Sequence, residues 1–270
     1  MMIIGHGGMR HVASTMLLAA IVIAGGLHQA RAQLATAPAG QLATAWGAVE
    51  VVANQYLWIP WTTVEAQTAK ASASETIGPG DMISHLTWVP YMGAAEFRSG
   101  PFGVGIDYIH APIKSGIGTQ HVLFGTPQAH LGIDIGTAMF LYRTIVSPAD
   151  YVDLGVGVRA WGINGTVAIS RRFLPAATVT KGVAWPDALI AARYRHEFGN
   201  ELSATAYADA GGFGAAANID WQLIVTLDYA VRPGVELHAG FRGLNVNIGT
   251  TPIDVTTRMY GPIISATLRF

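Results

Sequence analysis

TTRMYGPIISATLRF, running from Thr256 to Phe270, is the stretch that decides the fold. Counting back in twos from Phe270 collects Leu268, Ala266, Ile264, Pro262 and Tyr260. The alternate positions hold Arg269, Thr267, Ser265, Ile263 and Gly261. Successive side chains on a strand point to opposite sides, so this is a strand with one apolar face and one mostly polar face. Closing on an aromatic, downstream of a secretion signal, it points to an outer-membrane β-barrel. There the last strand pairs with the first, because lipid offers no partner for an open edge. An edge strand of a soluble β protein reads the same from these residues alone.

Composition narrows the choice. Half of the 270 residues are apolar and only 12% are charged, yet no uninterrupted apolar run reaches the roughly 18 to 20 residues a spanning helix needs. A large soluble core or a barrel remains. The chain lacks cysteine, which excludes disulfides, thiolate metal sites and thiol nucleophiles. A net charge of −1 without a basic cluster argues against a nucleic-acid partner. A 13-residue apolar stretch from Thr15 to Leu27 follows Arg10, and Ala30-Arg31-Ala32 has the small-x-small pattern of a signal-peptidase site. The expectation is a signal peptide over 1–32, cleaved after Ala32, then a periplasmic lead-in over 33–44 and a barrel over 45–270. Without Arg10 and Arg31, 14 basic residues face 17 acidic ones, a net charge near −3.

Alternation recurs along the rest of the chain. It is cleanest in Ile219, Trp221, Leu223, Val225, Leu227 and Tyr229 against Asp220, Gln222, Thr226 and Asp228. Comparable runs start near Trp46, Leu86, Phe102, Leu131, Val152, Ala188, Leu202 and Val235. On the run near 131 the apolar set is Leu131, Ile133, Ile135, Met139 and Leu141, opposite His130, Asp134 and Tyr142. The aromatics of Tyr56-Leu57-Trp58-Ile59-Pro60-Trp61 fit the girdle where a barrel wall meets the headgroups. Tight turns are expected near 100, 148, 199 and 233, and longer or Gly-rich connections over 62–81, 112–127, 168–185, 211–217 and 249–254. A parity slip at Gly243-Leu244 reads as a bulge or as strand beyond the lipid. Short turns alternating with longer loops are what an antiparallel barrel with both ends in the periplasm requires. The three lysines, Lys70, Lys114 and Lys181, all fall in the expected outside loops. The expected fold class is all-β: a transmembrane antiparallel up-and-down β-barrel of about ten strands, with eight or twelve as alternatives.

Several fragments together resemble a family of largely uncharacterised Gram-negative outer-membrane β-barrel proteins. They are Tyr56-Leu57-Trp58-Ile59-Pro60, the run from Met92 to Arg98, the run from Asp209 to Gly214 with Trp221-Gln222, Gly240-Phe241-Arg242, and Gly261-Pro262 through to Phe270. They cover most of 46–270, and 112–130 departs from the pattern. The resemblance implies an outer-membrane location and a barrel fold. It implies no established activity and carries over no catalytic residue. In the same reading Tyr260, Leu268 and Phe270 form the assembly signal, which makes the bilayer and the outer-membrane barrel-assembly machinery the expected partners.

With the apolar parity on lipid, the other parity lines the lumen. The charged residues expected there are Glu50, Glu96, Arg98, Asp107, Asp134, Asp153, Arg159, Arg193, Arg195, Glu197, Asp209, Asp220, Asp228, Arg232 and Arg242. Both signs occur and every base is arginine, whose planar fork suits paired carboxylates in a dry space. A ten-stranded barrel is little wider than one that side chains can fill. The expectation is therefore a packed, salt-bridged interior in a non-enzymatic structural or narrow-pore protein. An open small-solute channel and an outer-membrane hydrolase or lipid-modifying enzyme with its site at the outer rim are the alternatives. For the hydrolase, Ser84 with Asp81 and His85, or His110, His121 and His130, are the candidate groups, none at a characteristic spacing. No metal site and no cofactor are expected, and any solute is undefined. A soluble lipocalin-like barrel would invert the faces, but its water-facing side would mix in lysine freely.

Overall fold

The computed structural model describes residues 49–69, 72–85, 90–116, 128–169, 177–214, 217–250 and 253–270. The signal segment with Ala30 and Ala32, the lead-in over 33–44, Lys70 and His121 lie outside the described residues. So do the side chains of His85, Lys114, His130 and Lys181.

The strands are β1 (Val49–Trp58), β2 (Trp61–Thr68), β3 (Ser72–Ile77), β4 (Tyr91–Ser99), β5 (Phe102–Gly116), β6 (Gln128–Ser147), β7 (Asp150–Ile169), β8 (Ala177–Gly199), β9 (Leu202–Gly211), β10 (Ile219–Arg232), β11 (Val235–Thr250) and β12 (Ile253–Arg269). One short helix, α1 (Pro79–His85), precedes β4. Ten strands, β1 and β4 through β12, each pair antiparallel with the next in chain order. β1 then pairs with β12, from Val52↔Arg269 to Trp58↔Ile263, and closes the wall. This is the expected ten-stranded up-and-down barrel, and closure leaves its wall without the open edge that lipid cannot satisfy.

The expected loop over 62–81 is largely regular structure instead. β12 pairs with β1 as far as Trp58 and then with β2, from Tyr260↔Trp61 to Ile253↔Thr68. β1 and β2 are thus one wall strand interrupted at Ile59-Pro60, where proline has no N–H to donate. β3 folds back on β2 as an added hairpin. Its residues, SASETI, are polar or small on both parities up to the final Ile77, so alternation gave no signal there. Most of the expected loop over 168–185 is likewise strand, since β7 reaches Ile169 and β8 starts at Ala177. The connection over 249–254 shortens to two residues after Thr250, which pairs with Ile253.

The tight turns lie where expected. Gly100 and Gly234 adopt positive φ, and the Asn200-Glu201 pair has both φ values positive, at 51° and 68°. That is the mirror-image turn matching the twist of a two-residue hairpin. Bulges next to three of these turns shift the register just before the last pair of each hairpin. β6, β7 and β8 are 20, 20 and 23 residues long. Crossing takes about 9 to 11 residues per strand, so the surplus rises past the membrane at the long-loop end.

The outward face is an apolar belt. On β10, Trp221, Leu223, Val225, Leu227 and Tyr229 are all exposed, while Asp220, Gln222 and Asp228 are buried between them. Aromatics mark both margins of the belt: Trp61 stacks on Tyr260, and Phe102 packs against Phe140 and Tyr142. The Tyr56–Trp61 aromatics divide between the two faces. Tyr56 and Trp58 are buried in the interior, whereas Leu57 and Trp61 face out. The expected girdle role holds for Trp61 and fails for Tyr56 and Trp58, because their parity is that of Glu50 and Asn54. At Gly243-Leu244 the β10–β11 register is continuous and no bulge occurs. Leu244 stays inside because the interior turns apolar at that level.

Candidate functional site in the barrel interior

Inward side chains form three levels. The middle level is a hydrogen-bonded ionic network. Arg242 on β11 donates to Tyr56 Oη (2.9 Å), Asp107 Oδ2 (2.9 Å) and Gln222 Oε1 (2.9 Å). Tyr56 Oη donates in turn to Asp107 Oδ1 (2.5 Å). Gln222 donates to Asp209 Oδ2 (3.1 Å), which also accepts from Arg159 Nη2 (2.6 Å). Arg159 Nη1 reaches Asp220 Oδ1 (2.5 Å), and Trp161 Nε1 donates to Asp220 Oδ2 (3.1 Å). A bond from Arg159 Nε to Thr137 (3.3 Å) extends the chain to β6. The network thus ties β1, β5, β6, β7, β9, β10 and β11 together across the lumen. Arg159, Arg242 and Asp220 are fully buried there. Ions so far from water persist only when paired and hydrogen-bonded, which arginine's fork provides.

Toward the long-loop end lies an apolar level. Trp58, Met92, Ile109, Ile135, Trp161, Leu244, Val246, Met259 and Ile263 form one buried cluster. Trp185 stacks on Trp161 with centroids 5.8 Å apart, and the Arg242 guanidinium lies 4.9 Å from the Trp58 ring. Asp187, fully buried, accepts from Trp185 Nε1 (3.0 Å) and the Ala217 amide (3.0 Å), fastening the chain just before β10 over this cluster.

Toward the tight turns, which face the periplasm in barrels of this kind, a second set of ion pairs rings the wall. Arg98, Arg143 and Arg193 converge on Glu96 and Asp153. Arg195 bridges Asp228 (3.3 Å) and Glu236 (2.7 Å), and Arg269 bridges Glu50 (2.9 Å) and Glu236 (3.1 Å). His238 joins Asp228 (2.7 Å) to Thr267 (2.8 Å). Between this ring and the middle network lies a cavity of about 290 Å³.

Most of the charged residues expected inside meet in these two networks: Glu50, Glu96, Arg98, Asp107, Asp153, Arg159, Arg193, Arg195, Asp209, Asp220, Asp228 and Arg242. Three do not. Glu197 is exposed at the mouth, 3.8 Å from Arg195. Arg232 is exposed beyond a bulge at Ala230/Arg232, which resets the parity. Asp134 is on the outward face. There its carboxylate accepts from Tyr108 Oη (2.7 Å) and pairs with His110 Nδ1 (2.8 Å). The faces expected for β6 are therefore inverted: Ile135, Met139 and Leu141 are buried, and Phe140 and Tyr142 face out. The inversion adds Arg143 to the interior. Asp187, Glu236, His238 and Arg269 also belong to it. Asp187, Glu236 and His238 share parity with expected lumen residues of their strands, and Arg269 lies on the polar parity of the last strand, so the alternation itself contains their signal.

Of the hydrolase candidates, His110 pairs with Asp134 at the outer surface, and Ser84 Oγ donates to the Asp81 carbonyl (2.8 Å) within α1. No group of three metal-ligating side chains occurs among the described residues. Tyr260, Leu268 and Phe270 face out, and the Phe270 amide donates to the Val51 carbonyl (2.9 Å) at the closure.

No family model matches the chain, and no curated protein is similar to it in sequence. Solved structures do match. The outer-membrane protease OmpT from Escherichia coli matches with a TM-score of 0.51 at 9% identity, over 82% of this chain and 97% of that one. Ail, the attachment invasion locus protein of Yersinia pestis, matches at TM-score 0.32 and 10% identity, over 82% and 98%. The Pseudomonas putida toluene transporter TodX matches at TM-score 0.31 and 9% identity, over 88% and 92%. At such identities the OmpT likeness is one of fold. That fold, the closed wall and the outward apolar belt are those of an integral Gram-negative outer-membrane β-barrel.

Proposed function

We propose that this protein is a non-enzymatic outer-membrane barrel whose interior is closed, serving the envelope as a structural element and not as a solute channel. The observation that carries this reading is the pair of stacked interior levels. An ionic network bonds seven strands across the lumen, and an apolar cluster with Trp58, Ile135 and Leu244 covers it. A hydrated pathway would have to break buried ion pairs and wet that cluster. A lining of one sign would favour an ion-selective pore; this one neutralises itself locally. Insertion by the barrel-assembly machinery, through the outward face of β12, belongs to the same reading.

The test is liposome swelling. Proteoliposomes holding the refolded barrel, diluted into isotonic arabinose, are expected to keep their turbidity like protein-free vesicles. Swelling at rates that rise with protein content would replace the closed reading with the small-solute channel.

A further inference from the structure

The cavity between the middle network and the periplasmic mouth has a built asymmetry. On β6 the inward positions run from Arg143 near the turn, through Leu141 and Met139, to Thr137 at the network. The facing inward positions on β7 include Gly155 and Gly157. A Cβ on Gly155 would lie 2.8 Å from Leu141 Cδ2, and one on Gly157 would lie 2.4 Å from Met139 Sδ. The glycines let Leu141 and Met139 lie flat against the wall, which leaves the barrel axis open and lined with apolar surface. Val52 and Ile224 continue that surface on other strands.

Six arginines border the cavity beside Glu50, Glu96, Asp107 and Glu236, and Asp153 and Asp228, buried behind them, bring the group as a whole to balance. The positive excess is local. At the β6–β8 side, three guanidiniums share two carboxylates, and Asp153 is fully buried behind them. Arg143 spends Nε and Nη2 on Asp153 and rests its face on Tyr151, 3.7 Å from the ring. Its Nη1 edge has no such partner among the described residues, and the side chain as a whole is one-fifth exposed. A cationic edge at the mouth, with apolar wall immediately deeper, recognises one kind of molecule.

We propose that this cavity is a periplasm-facing binding site for a small organic anion with an apolar body. The anionic group bonds the Nη1 edge of Arg143, and the body lies along Leu141, Met139 and Ile224 toward the network that ends the cavity. Carboxylate, phosphate or sulfonate would satisfy the guanidinium edge alike. The inference extends the closed-barrel reading by giving the blind cavity an occupant, and it is tested independently of conductance.

The probe is 4-fluorobenzoate, followed by fluorine NMR line broadening on the full barrel refolded in dodecyl maltoside. Its neutral isostere, 4-fluorobenzyl alcohol, accounts for partition into the micelle. Saturable broadening is expected for the anion and none beyond empty micelles for the alcohol. Arg143→Gln is expected to weaken binding at least ~10-fold, because a charge-assisted bond is lost. Asp153 keeps Arg193 in that variant, so the wall keeps its cross-link. Ile224→Trp fills the cavity from the strand beside Arg242, leaves Arg143 in place, and is expected to abolish binding. Equal binding of acid and alcohol, no saturable binding, or unchanged affinity in either folded variant would overturn the proposal. Were swelling seen with binding intact, only the closed-barrel reading would fall.

Discussion

Replacing Arg159 with methionine probes the network where it is most buried. Arg159 is fully buried, and its guanidinium holds Asp220 at 2.5 Å and Asp209 at 2.6 Å. After the substitution Asp220 keeps the Trp161 indole N–H and Asp209 the Gln222 amide, both at 3.1 Å, with the Tyr207 hydroxyl beside Asp209, and all of these donors are neutral. Two carboxylates then remain in the interior without their counter-charge. Removing one member of a buried ion pair costs about 3–5 kcal/mol, and with two carboxylates orphaned the upper end applies. The triple variant Arg159→Met, Asp209→Asn, Asp220→Asn removes the charges together. It should recover most of that loss, because the penalty comes from uncompensated charge and not from missing attraction. Arg269→Met is the control. That arginine is well exposed at the mouth, and exposed pairs contribute roughly 0–1 kcal/mol. Urea titration of refolded barrels, followed by tryptophan emission, gives the three values. A cost for Arg159→Met as small as that for Arg269→Met would refute the reasoning, as would a triple variant less stable than the single one.

Two further expectations concern the faces of the wall. Leu223→Arg places a charge on the exposed belt of β10, which costs roughly 2–4 kcal/mol near mid-bilayer, so folded protein in the outer membrane should drop sharply; normal insertion would mean the faces are misassigned. The cysteine-free chain also permits clean labelling of β6. A nitroxide on Phe140→Cys should collide readily with oxygen dissolved in lipid and one on Leu141→Cys should not, and the reverse pattern would restore the face assignment read from the sequence.

How far the sequence was legible follows from which residues had only one environment to satisfy. β10 alternates cleanly because its outward set meets lipid and its inward set joins the networks, so strand, face and site were all visible in it. β6 misled because the interior is not uniformly polar. Its inward Ile133, Ile135, Met139 and Leu141 belong to an apolar level or line the cavity, and its outward Asp134 is satisfied by Tyr108 and His110. With apolar residues on both faces, parity alone cannot choose between them. Arg143, on the same parity as Met139 and Leu141, was the residue that pointed the other way. The hairpin of β2 and β3 was missed for the opposite reason: past Trp61 at the belt margin it has no lipid face to generate alternation. The pairing of specific ions across the lumen, such as Arg159 with Asp220 61 residues away, depends on strand stagger around the barrel and has no local signature.

Single-channel recording in planar bilayers tests the central claim, that the interior is closed by its apolar level, most directly. The refolded wild-type barrel, its insertion confirmed by heat-shifted gel mobility, is expected to be electrically silent. The double variant Trp58→Ala, Leu244→Ala, which removes two of the largest side chains of that level, should show discrete openings. Steady conductance steps from the wild type itself would contradict the account.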